Sequence, residues 1–358
     1  MTVIEHERSV YSRYASAARQ AEASLCCAVK YDKNLLAAIP DEIIERDYGC
    51  GDPTPYVRAG DTVLDLGSGG GKVCYIAAQL VGPAGRVIGV DCNEEMLSLA
   101  RRHQGEVGRR LGYDVVEFRR GLIQDLRLDL DLLAAELAAR PVDSPSRWLE
   151  MRSLEEVLRR ERPMIPDKSV DCVVSNCVLN LVRLDDRTRL LSEVFRVLKE
   201  GGRAAICDIV SDRDVPDRLQ QDTRLWSGCL SGAFREDRFL TAFEEAGFHG
   251  IRIADRQHEP WRTVEGIEFR SLTVVAHKGG QDASHGADHT LIYRGPFKRV
   301  EVDDGRVYHR GQAAQVDGAT ARLLQSEPYA AAFLEAGPKP PVPRKSPGCC
   351  EGASDCFE

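Results

Sequence analysis

Twelve of the 358 residues are cysteine: Cys26, Cys27, Cys50, Cys74, Cys92, Cys172, Cys177, Cys207, Cys229, Cys349, Cys350 and Cys356. The chemistry they could do is that of soft ligands or redox thiols, since thiolates prefer soft, thiophilic centres. In a reducing cytosol so many thiols are not a disulfide framework. Some will be small core residues; the rest call for a metal, metalloid or redox role. Three sit in distinctive surroundings: Tyr48-Gly49-Cys50-Gly51, Ser175-Asn176-Cys177-Val178-Leu179-Asn180-Leu181 and Gly228-Cys229-Leu230-Ser231-Gly232-Ala233. None has the C-x-x-C spacing of a zinc knuckle, so no structural zinc site is expected. Cys74, Cys92, Cys172 and Cys207 fall in regular elements and read as packing residues. Seven of the eight histidines, His103, His249, His258, His277, His285, His289 and His309, show no ligand spacing and read as surface residues.

A second chemical feature is Asp65-Leu66-Gly67-Ser68-Gly69-Gly70-Gly71. It follows an apolar run, Thr62–Leu66, and precedes a helical stretch from Lys72 to Leu80. Glycines between a strand and a helix let the backbone turn tightly and approach a ligand closely. Asp91 ends the next strand, twenty residues past Gly71, where an acid can accept both hydroxyls of a ribose. A dinucleotide is the first thought. Asp65, just before the loop, argues against a pyrophosphate there and for a cofactor with a cationic amino-acid end.

The elements that must position these groups alternate strand and helix. Strands are expected at Thr62–Leu66, Arg86–Asp91, Val115–Arg119, Ser169–Ser175 and Arg203–Asp208, with helices at Lys72–Leu80, Asn93–Leu111 and Leu190–Leu198. Asn93 is a plausible helix cap, and Gly201-Gly202 a helix stop. The pattern predicts a parallel, doubly wound α/β sheet, which places Cys177 at the ligand-binding carboxyl end of its fourth strand. Residues 126–164 interrupt it with helices at Leu130–Ala139 and Leu154–Arg162, split by Pro141 to Pro145. This helical hairpin is a surface elaboration, or a lid or partner surface.

The expected organisation is an N-terminal helical, cysteine-bearing segment (1–60), a cofactor domain (61–212), a remaining substrate region (213–278), a small α+β domain (290–336) and a flexible tail (337–358). A length of 358 residues fits about two or three domains. In the small domain, Thr290–Arg294, Arg299–Val302 and Arg306–His309 read as strands around an Asp304-Gly305 turn, followed by a helix, Gly318–Gln325. The net charge is −8, with 43% hydrophobic residues. That balance excludes global disorder and argues against nucleic-acid binding, which needs clustered positive charge. No apolar run reaches the roughly 20 residues that span a bilayer, and the first residues lack a secretory core. A cytoplasmic protein without membrane partners is expected.

The loop and its acids resemble class I S-adenosylmethionine (SAM)-dependent methyltransferases. The three cysteine segments resemble those of the arsenite SAM methyltransferase family. Leu25-Cys26-Cys27 is similar to that family's N-terminal Cys-Cys segment, and 293–333 to its small C-terminal domain. The resemblance implies a Rossmann-like class I methyltransferase sheet with a helical N-terminal segment, a helical insertion and a small α+β C-terminal domain. It implies that Asp65, Gly67 and Gly69 line the methionine end, that Asp91 holds the ribose, and that Ile123 and Gln124 border the adenine. Ser68, Cys92 and Asn176 complete the expected cofactor set. Cys50, Cys177 and Cys229 would bind As(III). Cys26 or Cys27 would form a disulfide with a ligand cysteine during turnover, reduced by thioredoxin or glutathione. Cys349, Cys350 and Cys356 would be idle, capture arsenite, or carry redox traffic. A monomer is expected. The loop reads Gly-Ser-Gly-Gly-Gly where the family commonly has Gly-Cys-Gly-Thr-Gly. Two other readings compete: a methyltransferase for selenium, tellurium or a small organic acceptor, and a non-catalytic metalloid-binding protein.

Overall fold

The computed structural model describes residues 3–25, 29–279, 289–303 and 305–336. Cys26, Cys27, Cys349, Cys350, Cys356 and the Asp304 half of the expected turn lie outside them. The chain divides into two compact units, Met1–Gly280 and Gln281–Glu358.

The first unit is built on one sheet. Its strands are β1 (Thr62–Leu66), β2 (Arg86–Asp91), β3 (Val116–Arg120), β4 (Val170–Asn176), β5 (Leu198–Ser211), β6 (Phe234–Arg235), β7 (His249–Arg256), β8 (Arg262–Val264) and β9 (Ile267–His277). The order is β3-β2-β1-β4-β5-β9-β7. Strands β1 to β5 are parallel, while β9 runs antiparallel to both β5 and β7. The chain order reverses between β1 and β4, which opens a crevice at their carboxyl ends. Both faces are covered, so the strands read as continuous apolar runs. Leu64, Leu66, Ile88 and Val90 enter one core; Val63, Val87, Cys74 and Cys172 enter the other.

Most expected boundaries fall within a residue or two. The exceptions have identifiable causes. The helix read as Leu190–Leu198 begins at Arg187, because Asp186 and a short turn precede it rather than a recognisable side-chain cap. Strand β5 is longer than Arg203–Asp208, as β9 pairs with it from Arg203 to Ser211. In the insertion, helix Leu130–Ala139 matches, but its partner is Pro145–Glu161. Pro145 acts there as a first-turn residue, not a breaker, and Ser144 caps the helix by accepting from Arg147 N. His249 and His277 are buried partners on β7 and β9, not surface residues, because both close the covered end of the sheet.

The second unit has a three-stranded sheet, with β10 (His289–Tyr293) between β13 (Ala313–Val316) and β14 (Phe333–Glu335). A two-stranded ribbon, β11 (Arg299–Glu301) and β12 (Val307–His309), and a helix, Gly318–Leu324, complete it. Leu291, Tyr293, Tyr308, Leu324 and Phe333 form its core. Strands β13 and β14 have only four and three residues and carry too little alternation to be read in advance.

Candidate active site

The glycine loop leaves β1 at the switch point of the sheet. Gly67 has φ 67°, a conformation costly for any residue with a Cβ, and a Cβ there would lie 2.4 Å from Val178. The loop walls a cavity of about 580 Å³. Asp65, Gly67, Ser68, Gly69, Asp91, Cys92, Ile123, Gln124 and Asn176 all line it, and so does Cys177.

Two carboxylates govern its electrostatics. Asp65 is buried, and among the described residues its side-chain hydrogen bond is from the Cys74 thiol, which donates at 3.2 Å. Burial pushes its pKa up to about 8. A cationic group would reverse that. Asp91 accepts from Gly69 N at 2.9 Å and from Asn93 N at 2.8 Å, which fixes the loop. Burial raises its pKa too, and these backbone donors oppose the rise. Ser68 Oγ is buried with no hydrogen-bond partner among the described residues. An acid short of a cation and a hydroxyl short of a partner fit a ligand with an amino-acid end, as SAM has.

The thiols come from three distant segments. The Cys50 loop hangs on Asn176 at the end of β4. Asn176 Oδ1 accepts from Cys50 N (2.8 Å) and Gly51 N (3.1 Å), while Nδ2 donates to Gly51 O (2.7 Å) and to the Tyr31 hydroxyl (2.9 Å). Gly49 permits this approach, since a Cβ there would meet Asn176 Nδ2 at 2.1 Å. Asn176 is thus a wall of the cavity whose amide is spent on the cysteine loop.

Cys177 and Cys229 have φ of 65° and 60°, a region that non-glycine residues rarely enter. The surroundings hold both there. Cys177 N donates to Cys207 O at 2.8 Å, and Cys229 Sγ lies 3.2 Å from Cys177 O. Asp208, on β5, accepts from Leu179 N (2.8 Å) and from Asn180 N (3.3 Å) and Nδ2 (2.7 Å). Asn180 Nδ2 also reaches Cys229 O at 3.4 Å. The buried Arg187 guanidinium ties Asn180 O and Gly232 O, so the two cysteine turns share one polar support. The Sγ atoms of Cys50 and Cys177 and a carboxylate oxygen of Asp208 lie within 4.8 Å of one another. Cys50, Cys177, Cys207 and Cys229 share one buried cluster.

Burial raises the pKa of Cys50. Cys177 is raised further, chiefly because its thiol shares hydrogen bonds with Cys229 and Cys50. Asp208 is pushed up by burial to about 6. Raised in this way, the Cys50 and Cys177 thiols hold their protons and suit a centre able to displace them, which a soft thiophile does.

A methyltransferase-domain family model matches residues 58–247. An arsenite methyltransferase of Aquipseudomonas alcaligenes is 31% identical over 92% of this chain and 89% of its own length. The chain belongs to the arsenite methyltransferase family. The human arsenite methyltransferase is 27% identical over 85% of this chain and 75% of its own. The crystal structure of an arsenic(III) SAM methyltransferase from Chlamydomonas reinhardtii superposes with a TM-score of 0.58 at 28% identity, covering 86% of this chain and 95% of that one. The fold is that of the class I SAM-dependent methyltransferases. Residues 281–356 match a second model, a domain of unknown function, DUF8838.

Within this family frame, the structure gathers Cys50, Cys177 and Cys229, and it surrounds one cavity with all nine residues expected to touch the cofactor. Cys26 and Cys27 are not among the described residues. Cys92 is exposed and lines the cavity, so it is no packing residue; it follows the last residue of β2 and precedes the helix cap, where no core lies. Cys207 packs in the thiol cluster, its Sγ 3.0 Å from Thr273 Oγ1. Sequence reasoning missed Asp208, Asn180, Tyr14 and Tyr31. Asp208 at the end of a recognisable strand was a usable signal. The tyrosines were not findable, because they reach the site from an N-terminal segment with no motif.

Proposed function

We propose that this protein transfers the methyl group of SAM to As(III) held by the thiolates of Cys50, Cys177 and Cys229. The observation that carries the reading is the convergence of three cysteines, far apart in sequence, beside the cavity walled by Asp65 to Gly69. Three thiols exchange with arsenous acid, releasing three waters and leaving arsenic a lone pair. Bound SAM supplies an electrophilic methyl on a sulfonium sulfur. The chain's task is then positioning. Asp65 would pair with the cofactor's ammonium, Asp91 would accept from the ribose, and Ile123 and Gln124 would flank the adenine. Gly67, Ser68 and Gly69 would present backbone and hydroxyl groups, with Cys92 and Asn176 closing the walls. No general base is required, since arsenic itself is the nucleophile.

Cys26 or Cys27 would pair in a disulfide with a ligand cysteine, its two electrons passing to the methylated arsenic. Thioredoxin or glutathione would restore the thiols. Residues 61–212 would bind SAM and 213–278 would complete the arsenic side. A cytoplasmic monomer acting in arsenic detoxification or organoarsenical synthesis fits this reading. Among the described residues no helix is long and apolar enough to cross a membrane.

The test is direct. The purified protein is incubated with SAM, a thiol reductant and arsenite, and the arsenic species are separated against a protein-free control. Methylated arsenic is expected. Arsenite binding without methyl transfer would replace the reading by a binding role. SAM binding without either would point to another acceptor.

A further inference from the structure

The N-terminal helix, Val3–Ala17, has no part in the reaction as described so far, yet one face of it lies along both halves of the site. Tyr11 and Tyr14 line the cofactor cavity. Asn93, which caps the helix after the ribose-side strand, donates through Nδ2 to Tyr11 O at 2.9 Å. On the other side, Arg13 Nη1 donates to Arg224 O and to Ser227 Oγ, both at 3.0 Å. Those residues lead directly into Cys229. Tyr14 packs edge-on against Tyr48, with ring centroids 6.1 Å apart, and its hydroxyl lies 3.9 Å from Cys229 Sγ. Among the described residues that hydroxyl has no other hydrogen-bond partner.

We propose that Tyr14 is a positioning residue for the third arsenic thiol, its hydroxyl donating to the Cys229 sulfur from the wall of the cofactor cavity. The inference rests on Cys229 being an arsenic ligand. A sulfur bonded to arsenic carries no proton, so the phenol must be the donor in that contact. A donor stabilises a sulfur that carries negative charge and does not compete with arsenic for it. It also holds the sulfur on the side facing the cofactor. Arg13 fixes the helix against the Cys229 turn, so the third ligand, besides the Asn180 and Arg187 support it shares with Cys177, is braced by an element that the sheet does not contain. Cys50 and Cys177 are held instead by Asn176 and Asp208 on the sheet itself.

The test is a double-mutant cycle on the full chain, read as arsenite affinity by equilibrium dialysis, with SAM affinity measured in parallel. Tyr14→Phe keeps the ring against Tyr48 and removes only the hydroxyl. Arsenite binding is expected to weaken about fivefold to tenfold in the wild-type background, the worth of one ordinary hydrogen bond. It should weaken less than about twofold when introduced into Cys229→Ser, because the partner is already gone. A loss of SAM affinity with arsenite affinity intact would place the hydroxyl on the cofactor and overturn the inference. Arg13→Gln, which loosens the helix without touching the ring, should show the same dependence on Cys229. Equal losses in both backgrounds, or no loss in the wild type, would overturn the inference. If Cys229→Ser alone binds arsenite like the wild type, the three-thiol reading itself fails, and this inference with it. That result is distinct from a failed cycle.

Discussion

The two halves of the site are built in opposite ways. The cofactor half comes mainly from consecutive strand ends. Asp65, Gly67, Ser68, Gly69 and Asp91 lie within 27 positions, on β1, its loop and the end of β2. Its shape is largely a property of backbone turns. The thiol half is assembled from residues near 50, 177 and 229, braced by Asn176, Asn180 and Asp208 and touched by Tyr14. Its shape is a property of tertiary hydrogen bonds, and two of its cysteines are held at positive φ. A site of the first kind tolerates change at a distance. One of the second kind depends on every brace.

The sharpest way to break the comparison is Cys177→Ser. It removes the central thiol and leaves the glycine loop intact. Methylation should fall by on the order of a hundredfold or more, as loss of a primary soft ligand exceeds loss of a supporting group. SAM affinity, measured by calorimetry, should not change. Full activity would mean that the two halves are not the two halves of this reaction.

Asp208→Asn comes next. It removes a carboxylate that accepts from Leu179 N and from Asn180, leaving buried donors mismatched. A cost of about 1–3 kcal/mol is expected, seen as a lower midpoint in urea unfolding. Arsenite affinity should fall with it, and SAM affinity should hold. A variant that loses SAM binding first would show the halves to be less separate than the hydrogen bonds suggest.

Asp65 tests the cofactor half through pH. Its folded pKa, raised to about 8 from 3.8, means that the cofactor-free protein keeps this proton to a higher pH than the unfolded chain does. Its contribution to stability is therefore fully present below about pH 4 and lost as pH rises towards 8. A cationic ligand prefers the ionised acid, so SAM affinity should tighten from about pH 6 to about pH 8, with proton release below the raised pKa. Asp65→Asn should flatten that slope. An unchanged slope would remove Asp65 from the ammonium end.

The smallest effect is expected far from both halves. Trp148 and Leu149, on the second insertion helix, are 51% and 60% exposed. Trp148→Glu should leave arsenite turnover within about twofold, as exposed substitutions usually perturb little. A larger loss would turn the insertion from a surface elaboration into part of the substrate path.

Much of this molecule was legible in the order of its residues. The strand-loop-helix around Gly67, the acid at Asp91 and the cap at Asn93 are local, and local preferences act within a few residues. The three cysteine segments were legible as types, because soft ligands flanked by glycine and asparagine are uncommon. The sequence by itself therefore determined the parallel part of the sheet, β1 to β5, the cofactor loop and the candidate ligands, while the antiparallel β9 with its neighbours β7 and β8 came only with the structure. Only the tertiary structure decided that Cys50 meets Cys177, that Asn176 and Asp208 spend their side chains bracing them, and that Tyr14 reaches Cys229 across 215 positions. Those contacts depend on side chains brought together by the order of strands and by one helix laid across them, and no short-range pattern in the chain carries that information.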